Sequence, residues 1–297
     1  MERSRKIMLL YNPHSGNGSF HTQLDLVVEA CQRKGFQLVP FKMLRDSSYD
    51  SLLLDLKSGD YEKIIIAGGD GTINICVNKM LDLGINLPIA LFPIGTANDF
   101  ATCLHIPRDL KSMIAVALDD VYANVDVGTC NDKYFINVAA FGQLADVSQK
   151  TDPALKHILG VYAYYIKGLS EIMSIKPRRV KITTPEKVYD EEIFFLAALN
   201  GGSAGGFDRL APKSEVSDGL LDVIFFKKMP KMNYAPLFFN VLMGNHEENE
   251  YVVSMKASEL LIESEDPIAT DIDGEYGESL PIKLGIVEKK LRIAVPR

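Results

Sequence analysis

A β-branched run, Lys63-Ile64-Ile65-Ile66, leads into Gly68-Gly69-Asp70-Gly71-Thr72, and residues 73–81 continue with helical periodicity. The glycine loop therefore sits where a strand hands over to a helix N-terminus, which limits the chain to folds built from strand–loop–helix units. That geometry suits phosphate. Glycines let backbone N–H groups approach an anion without a Cβ in the way, and the helix dipole adds about half a positive charge. An ordinary βα turn needs fewer glycines and no acid in its middle.

The surrounding sequence repeats the unit. Strands are expected at 6–11, 36–42, 63–67 and 88–92, and helices at 23–34, 48–56, 73–83 and 109–117. Such alternation predicts a parallel, doubly wound α/β sheet. Glycine-bearing loops follow three of the strands, at 14–18, 68–71 and 93–96, and all three open at the carboxyl edge, where ligands bind in this architecture. After about Val125 the texture changes to short strand-like runs at 134–139, 179–183, 192–199, 221–226, 257–263, 282–284 and 291–295. Asn200-Gly201, Asp218-Gly219 and Asp273-Gly274 supply turn signals between them. One helix, over 154–173, is expected to interrupt this region. The expected organisation is an α/β domain over 1–125 and a β-rich, sandwich-like domain over 126–297.

Composition narrows the function. A net charge of -7 argues against bulk nucleic-acid binding, and 47% hydrophobic residues are ample for a packed core. Cys31, Cys76, Cys103 and Cys130 lie far apart without a C-x-x-C pair, which reads as reduced packing residues in a cytoplasmic protein. The apolar stretches at 7–11, 193–199 and 235–243 are too short for a signal peptide or a membrane span, so neither is expected.

The glycine loop is neither a Walker A loop nor G-x-G-x-x-G. An uncompensated Asp70 would repel polyphosphate, so a divalent ion, a ligand hydroxyl or a nearby cation is expected beside it. The loop Pro93-Ile94-Gly95-Thr96-Ala97-Asn98-Asp99-Phe100 adds a glycine, a hydroxyl and two residues of capping type. In Asp271-Ile272-Asp273-Gly274-Glu275, an extended backbone would crowd three carboxylates on one face as a base or metal cluster, but Asp-Gly is equally a hairpin turn. Residues 213–220 read, on spacing alone, as a loop closing on a β-turn. Gly201-Gly202-Ser203-Ala204-Gly205, with Asp222 and His246 downstream, formally matches a nucleophile elbow. The irregular sequence that follows lacks the helix this motif requires. His14, His21, His105 and His157 show no metal spacing and are expected at the surface or as caps.

Residues 11–16 (Tyr-Asn-Pro-His-Ser-Gly), 68–74 (Gly-Gly-Asp-Gly-Thr-Ile-Asn) and 93–101 (Pro-Ile-Gly-Thr-Ala-Asn-Asp-Phe-Ala), in that order, resemble the diacylglycerol kinase catalytic-domain family, in particular its soluble bacterial lipid-kinase branch. The glycine loop alone is shared with NAD kinases. The resemblance implies a Rossmann-like N-terminal domain and a β-sandwich-like C-terminal domain with ATP between them, and transfer of the γ-phosphoryl to a lipid hydroxyl, diacylglycerol giving phosphatidate. It implies that Asn12, Gly68, Gly69, Asp70, Gly71, Thr72, Ile73, Asn74, Gly95 and Thr96 hold the nucleotide, with Asp70 also serving catalysis. It further implies that Glu275 accepts the substrate proton with Asp273 as its partner, and that Asp218 with the carbonyls of Glu215 and Leu220 holds a structural Mg²⁺. Oxygen-only ligation of that kind suits Mg²⁺.

A lipid kinase without a membrane span must dock reversibly, so a cytoplasmic, transiently membrane-associated protein is expected. Residues 150–181 carry seven basic residues against two acids. This segment reads either as a patch for anionic headgroups or as a solvated helix face. Homodimer formation is compatible with the sequence, and nucleic acid is not an expected partner. The competing functions are an NAD kinase and a nucleotide-binding regulatory module without transfer activity. The chain reaches Arg297 directly after a final strand, so a C-terminal helix that relatives pack back onto the first domain is expected to be absent.

Overall fold

The computed structural model describes residues 5–44, 52, 55–57, 59–142, 176–202 and 210–297. The chain divides into two compact units, one formed by Met1–Asp126 with Glu288–Arg297 and the other by Val127–Val287. The single boundary at 125 expected from texture misses the return of the final residues to the first unit.

In the first unit β1 (Arg5–Tyr11), β2 (Phe36–Lys42), β3 (Tyr61–Gly68) and β4 (Ile89–Pro93) pair in parallel in the order β2-β1-β3-β4. Ile293 continues the row in parallel beside Ile89. One sheet face carries Ile7, Leu9, Ile65, Ala67, Ala90 and Phe92, clustered with Val27 and Cys31 of the helix Leu24–Arg33 and Met113 and Ala117 of the helix Leu110–Leu118. Met8, Leu10, Ile64 and Ile66 alternate with them and are equally buried. Burial on both faces is why these strands read as unbroken apolar runs. The chain winds outward from β1 to β2 and then back to β3, so the topological switch point falls between β1 and β3.

The second unit is antiparallel. β13 (Ala269–Ile272) pairs with β14 (Glu275–Ser279) and with β7 (Val138–Gly142). β7 pairs with β9 (Val188–Leu199), which also carries β8 (Arg178–Thr183) and β10 (Leu221–Lys227). β11 (Val252–Ala257) flanks β10, and β12 (Glu259–Glu263) joins β8 to β15 (Ile282–Ala294). Leu196 and Ala198 of β9 point into one core, while Ala197 and Leu199 point into a second that is roofed by the helix Tyr234–Met243. Two covered faces again account for the apolar run at 193–199.

Several elements differ from the sequence reading. The expected strand at 134–139 is two, β6 (Lys133–Phe135) and β7, and the expected pieces at 282–284 and 291–295 are one thirteen-residue strand, β15. The run expected at 257–263 is broken at Ser258 into β11 and β12. β5 (Tyr122–Cys130) spans the expected domain boundary. The helix expected at 73–83 begins earlier, at Asp70. The helix expected at 154–173 lies outside the described residues, as does most of the basic segment 150–181; of the helix expected at 48–56, residues 52, 55 and 56 are described and helical. No helix among the described residues is long and apolar enough to cross a membrane.

Candidate active site

Three loops meet at the carboxyl edge of the parallel sheet, as the alternation predicts. At the switch point Asn12, one residue past β1, donates its backbone N–H to the Ala67 carbonyl and its Nδ2 to Thr72 Oγ1 at 3.0 Å. Asn12 Oδ1 accepts the N–H of His14, which folds the 12–18 loop back on itself. Gly16 sits at φ +60°, and a Cβ there would run into the Ile94 carbonyl. Gly69 and Gly95 pack Cα against Cα, so that a side chain on either forces the second and third loops apart. Glycine is required at 69 and 95 by loop-on-loop packing. At Gly71 a Cβ would meet nothing within 4 Å. The helix N-terminus is thus open at Gly71, and no side chain caps it. Its first-turn N–H groups are the ones a helix leaves without internal partners, which is what an anionic ligand requires.

Asp70 is not uncompensated. Its carboxylate accepts the N–H of Phe100 at 3.1 Å and so caps the short helix Asp99–Cys103 from a neighbouring loop. The negative charge is directed at a second helix N-terminus, where the dipole favours it. Asn98, at φ 59°, does not cap that helix; its amide accepts from Gly95 N–H and donates to the Gly95 carbonyl, closing the loop around the glycine. Thr96 and Ala97 are exposed at its tip. Asn74 is half-buried on the loop helix and bonds Asn78. Ile73 is fully buried and its N–H bonds the Gly69 carbonyl, so of the expected nucleotide residues it fixes the turn and presents nothing outward.

Residues 271–275 do not form an extended acidic face. β13 ends at Ile272, Asp273 and Gly274 take positive φ (51° and 88°), and Glu275 opens β14: a two-residue hairpin turn, for which Asp-Gly is a favoured pair. Asp271 is buried and accepts Gly274 N–H. The Asp273 carboxylate accepts three consecutive backbone N–H groups, from Ile136 (2.6 Å), Asn137 (3.0 Å) and Val138 (2.8 Å), and its own N–H bonds the Val138 carbonyl. Glu275 stands exposed beside the turn. The hairpin turn, one of the two readings open from the sequence, therefore disperses the three carboxylates, and no group of three or more His, Cys, Asp or Glu able to hold a metal occurs among the described residues.

At the expected Mg²⁺ site, Asp218 Oδ1 accepts Leu220 N–H and Oδ2 pairs with Lys256 Nζ at 2.5 Å, while the same ammonium lies 3.8 Å from Asp222 Oδ2. Burial pushes the Asp222 carboxyl above its usual range, and the Ser214 hydroxyl and then Lys256 oppose this. The donors are all oxygens and Asp222 Oδ2 has no hydrogen-bond partner, so the set fits a hard divalent ion, which would compete with Lys256 for Asp218. The elbow-like serine lies outside the described residues, and His246, fully buried, turns Nε2 to the Leu210 carbonyl and its ring edge to Phe226. His14, His21 and His105 are exposed, and His157 lies outside the described residues. No disulfide joins the four cysteines; burial raises the Cys76 thiol to about 12 and those of Cys31 and Cys130 to about 11.

Sequence reasoning missed the latch made by Asp273 and the capping role of Asp70. Both depend on partners more than 25 residues away, and no local spacing announces them.

A doubly wound sheet with three interlocked glycine loops at its switch point defines a class, the open α/β proteins that bind their ligands at the carboxyl ends of the strands. Residues 6–130 match the diacylglycerol kinase catalytic domain, and residues 137–295 match the YegS C-terminal NAD kinase beta sandwich-like domain. The chain is 30% identical over 298 residues to a diacylglycerol kinase of Bacillus subtilis, covering 100% of this chain and 97% of that one. It is 32% identical over 290 residues to one of Staphylococcus haemolyticus, covering 97% and 88%. A crystal structure from Bacillus anthracis, 26% identical, superposes with a TM-score of 0.83 over 100% of this chain and 97% of the other. The chain belongs to the diacylglycerol kinase family, a family of lipid kinases, and is an enzyme of that kind.

Proposed function

We propose that the chain transfers the γ-phosphoryl group of ATP to the free hydroxyl of diacylglycerol, giving phosphatidate and ADP, with dependence on Mg²⁺. The observation that carries this reading is the mutual locking of the three loops, Asn12 to Thr72, Asp70 to Phe100 and Gly69 to Gly95, around a helix N-terminus left open at Gly71. The open first-turn N–H groups and the exposed Thr96 take phosphate oxygens, while Asn12 and Asp70 hold the loops in place. Positioning and charge stabilisation supply most of the rate in phosphoryl transfer.

The exposed Glu275 carboxylate takes the proton of the acceptor hydroxyl as its oxygen attacks the γ-phosphorus and the bond to the ADP oxygen breaks. Asp273 positions this base: held by three amides, it fixes the turn from which Glu275 projects. Mg²⁺, when bound, neutralises charge and steadies the 215–220 loop through Asp218 and the carbonyls of Glu215 and Leu220.

The test offers labelled ATP with diacylglycerol, sphingosine, ceramide, phosphatidylglycerol or NAD. Label in phosphatidate, lost in Glu275→Gln at unchanged melting temperature, is the expected result. Label in NAD alone, or nucleotide binding without any product, would overturn the reading in favour of an NAD kinase or a regulatory module.

A further inference from the structure

The helix Tyr234–Met243 carries no charged residue in YAPLFFNVLM. Its inner face is ordinary: Tyr234, Leu237, Phe238 and Val241 are buried, and the Tyr234 ring meets Phe194 edge-on at 5.1 Å. Its outer face is not. Met232, just before the helix, is 81% exposed, Phe239 54% and Met243 63%, and Pro236 is exposed between them. The spacing 232, 236, 239, 243 is one helical stripe. Three of the nine large hydrophobic side chains exposed among the described residues stand on it, so the exposure is concentrated rather than scattered.

Charge gives the stripe a direction. Lys227, Lys228 and Lys231 lie at its amino end, with Lys231 exposed and Lys228 paired to Glu192 at 2.7 Å. Glu247, Glu248 and Glu250 lie beyond its carboxyl end, where Lys213 pairs with Glu247. The stripe presents three large exposed side chains and a proline, far fewer than the roughly 20–30 residues a side that a stable dimer buries, so a second copy is poorly matched. A bilayer interface accepts such a narrow apolar stripe with basic residues at one end.

We infer that this helix is a docking face for an anionic lipid bilayer, with Met232, Phe239 and Met243 entering the headgroup region and Lys231 meeting anionic headgroups at the amino end. The inference rests on the chain working on lipid at a surface, and it assigns that contact to a part of the second unit outside the basic segment 150–181.

Co-sedimentation of the full chain with phosphatidylcholine vesicles containing phosphatidylglycerol, in the absence of ATP, tests it. The variant carrying Met232→Ser, Phe239→Ser and Met243→Ser is expected to lose at least tenfold in bound fraction with its melting temperature retained. Lys231→Glu is expected to lose severalfold on anionic vesicles and little on neutral ones. With a short-chain, water-soluble diacylglycerol the triple variant keeps the wild-type turnover, whereas with bilayer-embedded acceptor its KM rises. Wild-type sedimentation by both variants would overturn the proposal. So would a wild-type dimer, without vesicles, that the triple variant converts to monomer, since the stripe would then be a self-interface. Because sedimentation needs neither ATP nor turnover, a failure of the diacylglycerol assignment leaves this result standing and is recognised separately.

Discussion

Replacing Asp273 by alanine removes one acceptor from three amide donors at once. A hydrogen bond to a charged acceptor contributes about 1.5–3 kcal/mol net, and the site is half-buried, so water recovers part of the loss. Three bonds then amount to about 3–5 kcal/mol. The left-handed φ of 51° costs alanine roughly 1 kcal/mol more, because a short polar side chain tolerates that region better than a methyl does. At about 2–4 °C per kcal/mol for a body of this size, Asp273→Ala should lower the melting temperature by on the order of 10 °C. Asp273→Asn keeps an acceptor oxygen and the backbone preference and should cost only about 1–2 kcal/mol. Thermal melting paired with hydrogen exchange reads both, since amide protection at 136–138 should collapse in the alanine variant and persist in the asparagine one. An alanine variant that melts within about 2 °C of wild type, with unchanged protection at 136–138, would refute the latch. An asparagine variant that is stable yet loses turnover completely would show that Asp273 does more than position Glu275.

Asp70→Ala should weaken the Asp99–Cys103 helix by about 1 kcal/mol through its lost cap, whereas Asp70→Asn retains the acceptor and should melt near wild type; melting curves with turnover separate capping from charge. Gly95→Ala places a Cβ 2.8 Å from Asn98 Oδ1 and against Gly69, and should cost at least about 2 kcal/mol, while Gly71→Ala should fold normally and weaken ATP binding measured by calorimetry. Lys256→Met should lower the melting temperature in chelator and regain it in millimolar Mg²⁺, with a larger Mg²⁺ response than wild type; equal responses would show that lysine and metal do not compete for Asp218. At pH 8 a thiol reagent should modify the half-buried Cys103 first and leave Cys76 untouched until the chain is unfolded.

The parallel sheet was legible because strands buried on both faces need continuous apolar residues, and Ile64-Ile65-Ile66 has few other uses. The meeting of the three loops followed from topology once each was placed after a strand. The helix Tyr234–Met243 was legible only as an apolar stretch: with Phe239 and Met243 outside and Leu237, Phe238 and Val241 inside, it lacks the polar face that reveals a helical period. β15 read as two pieces because Glu288, Lys289 and Lys290 interrupt its apolar pattern, although Lys289 is held by Asp126 at 2.6 Å. Of the two readings open for the acidic segment at 271–275, the hairpin turn is the one that holds, for a local reason. Alternation of carboxylates implies a shared face only while the backbone stays extended, and Gly274 ends that at once.

The end of β15 and the residues after it belong to the first unit: Ile293 lies beside Ile89, Ala294 in its core, Val295 is bonded to the Val121 carbonyl and Arg297 is paired with Asp119. During synthesis these residues leave the ribosome only after the whole of the second unit. Until then β4 presents an unpaired edge, and an exposed strand edge in a slow parallel sheet invites association with other chains. The first unit, although it comes first in the chain, is thus completed last, and nascent chains arrested before residue 288 should be the aggregation-prone species.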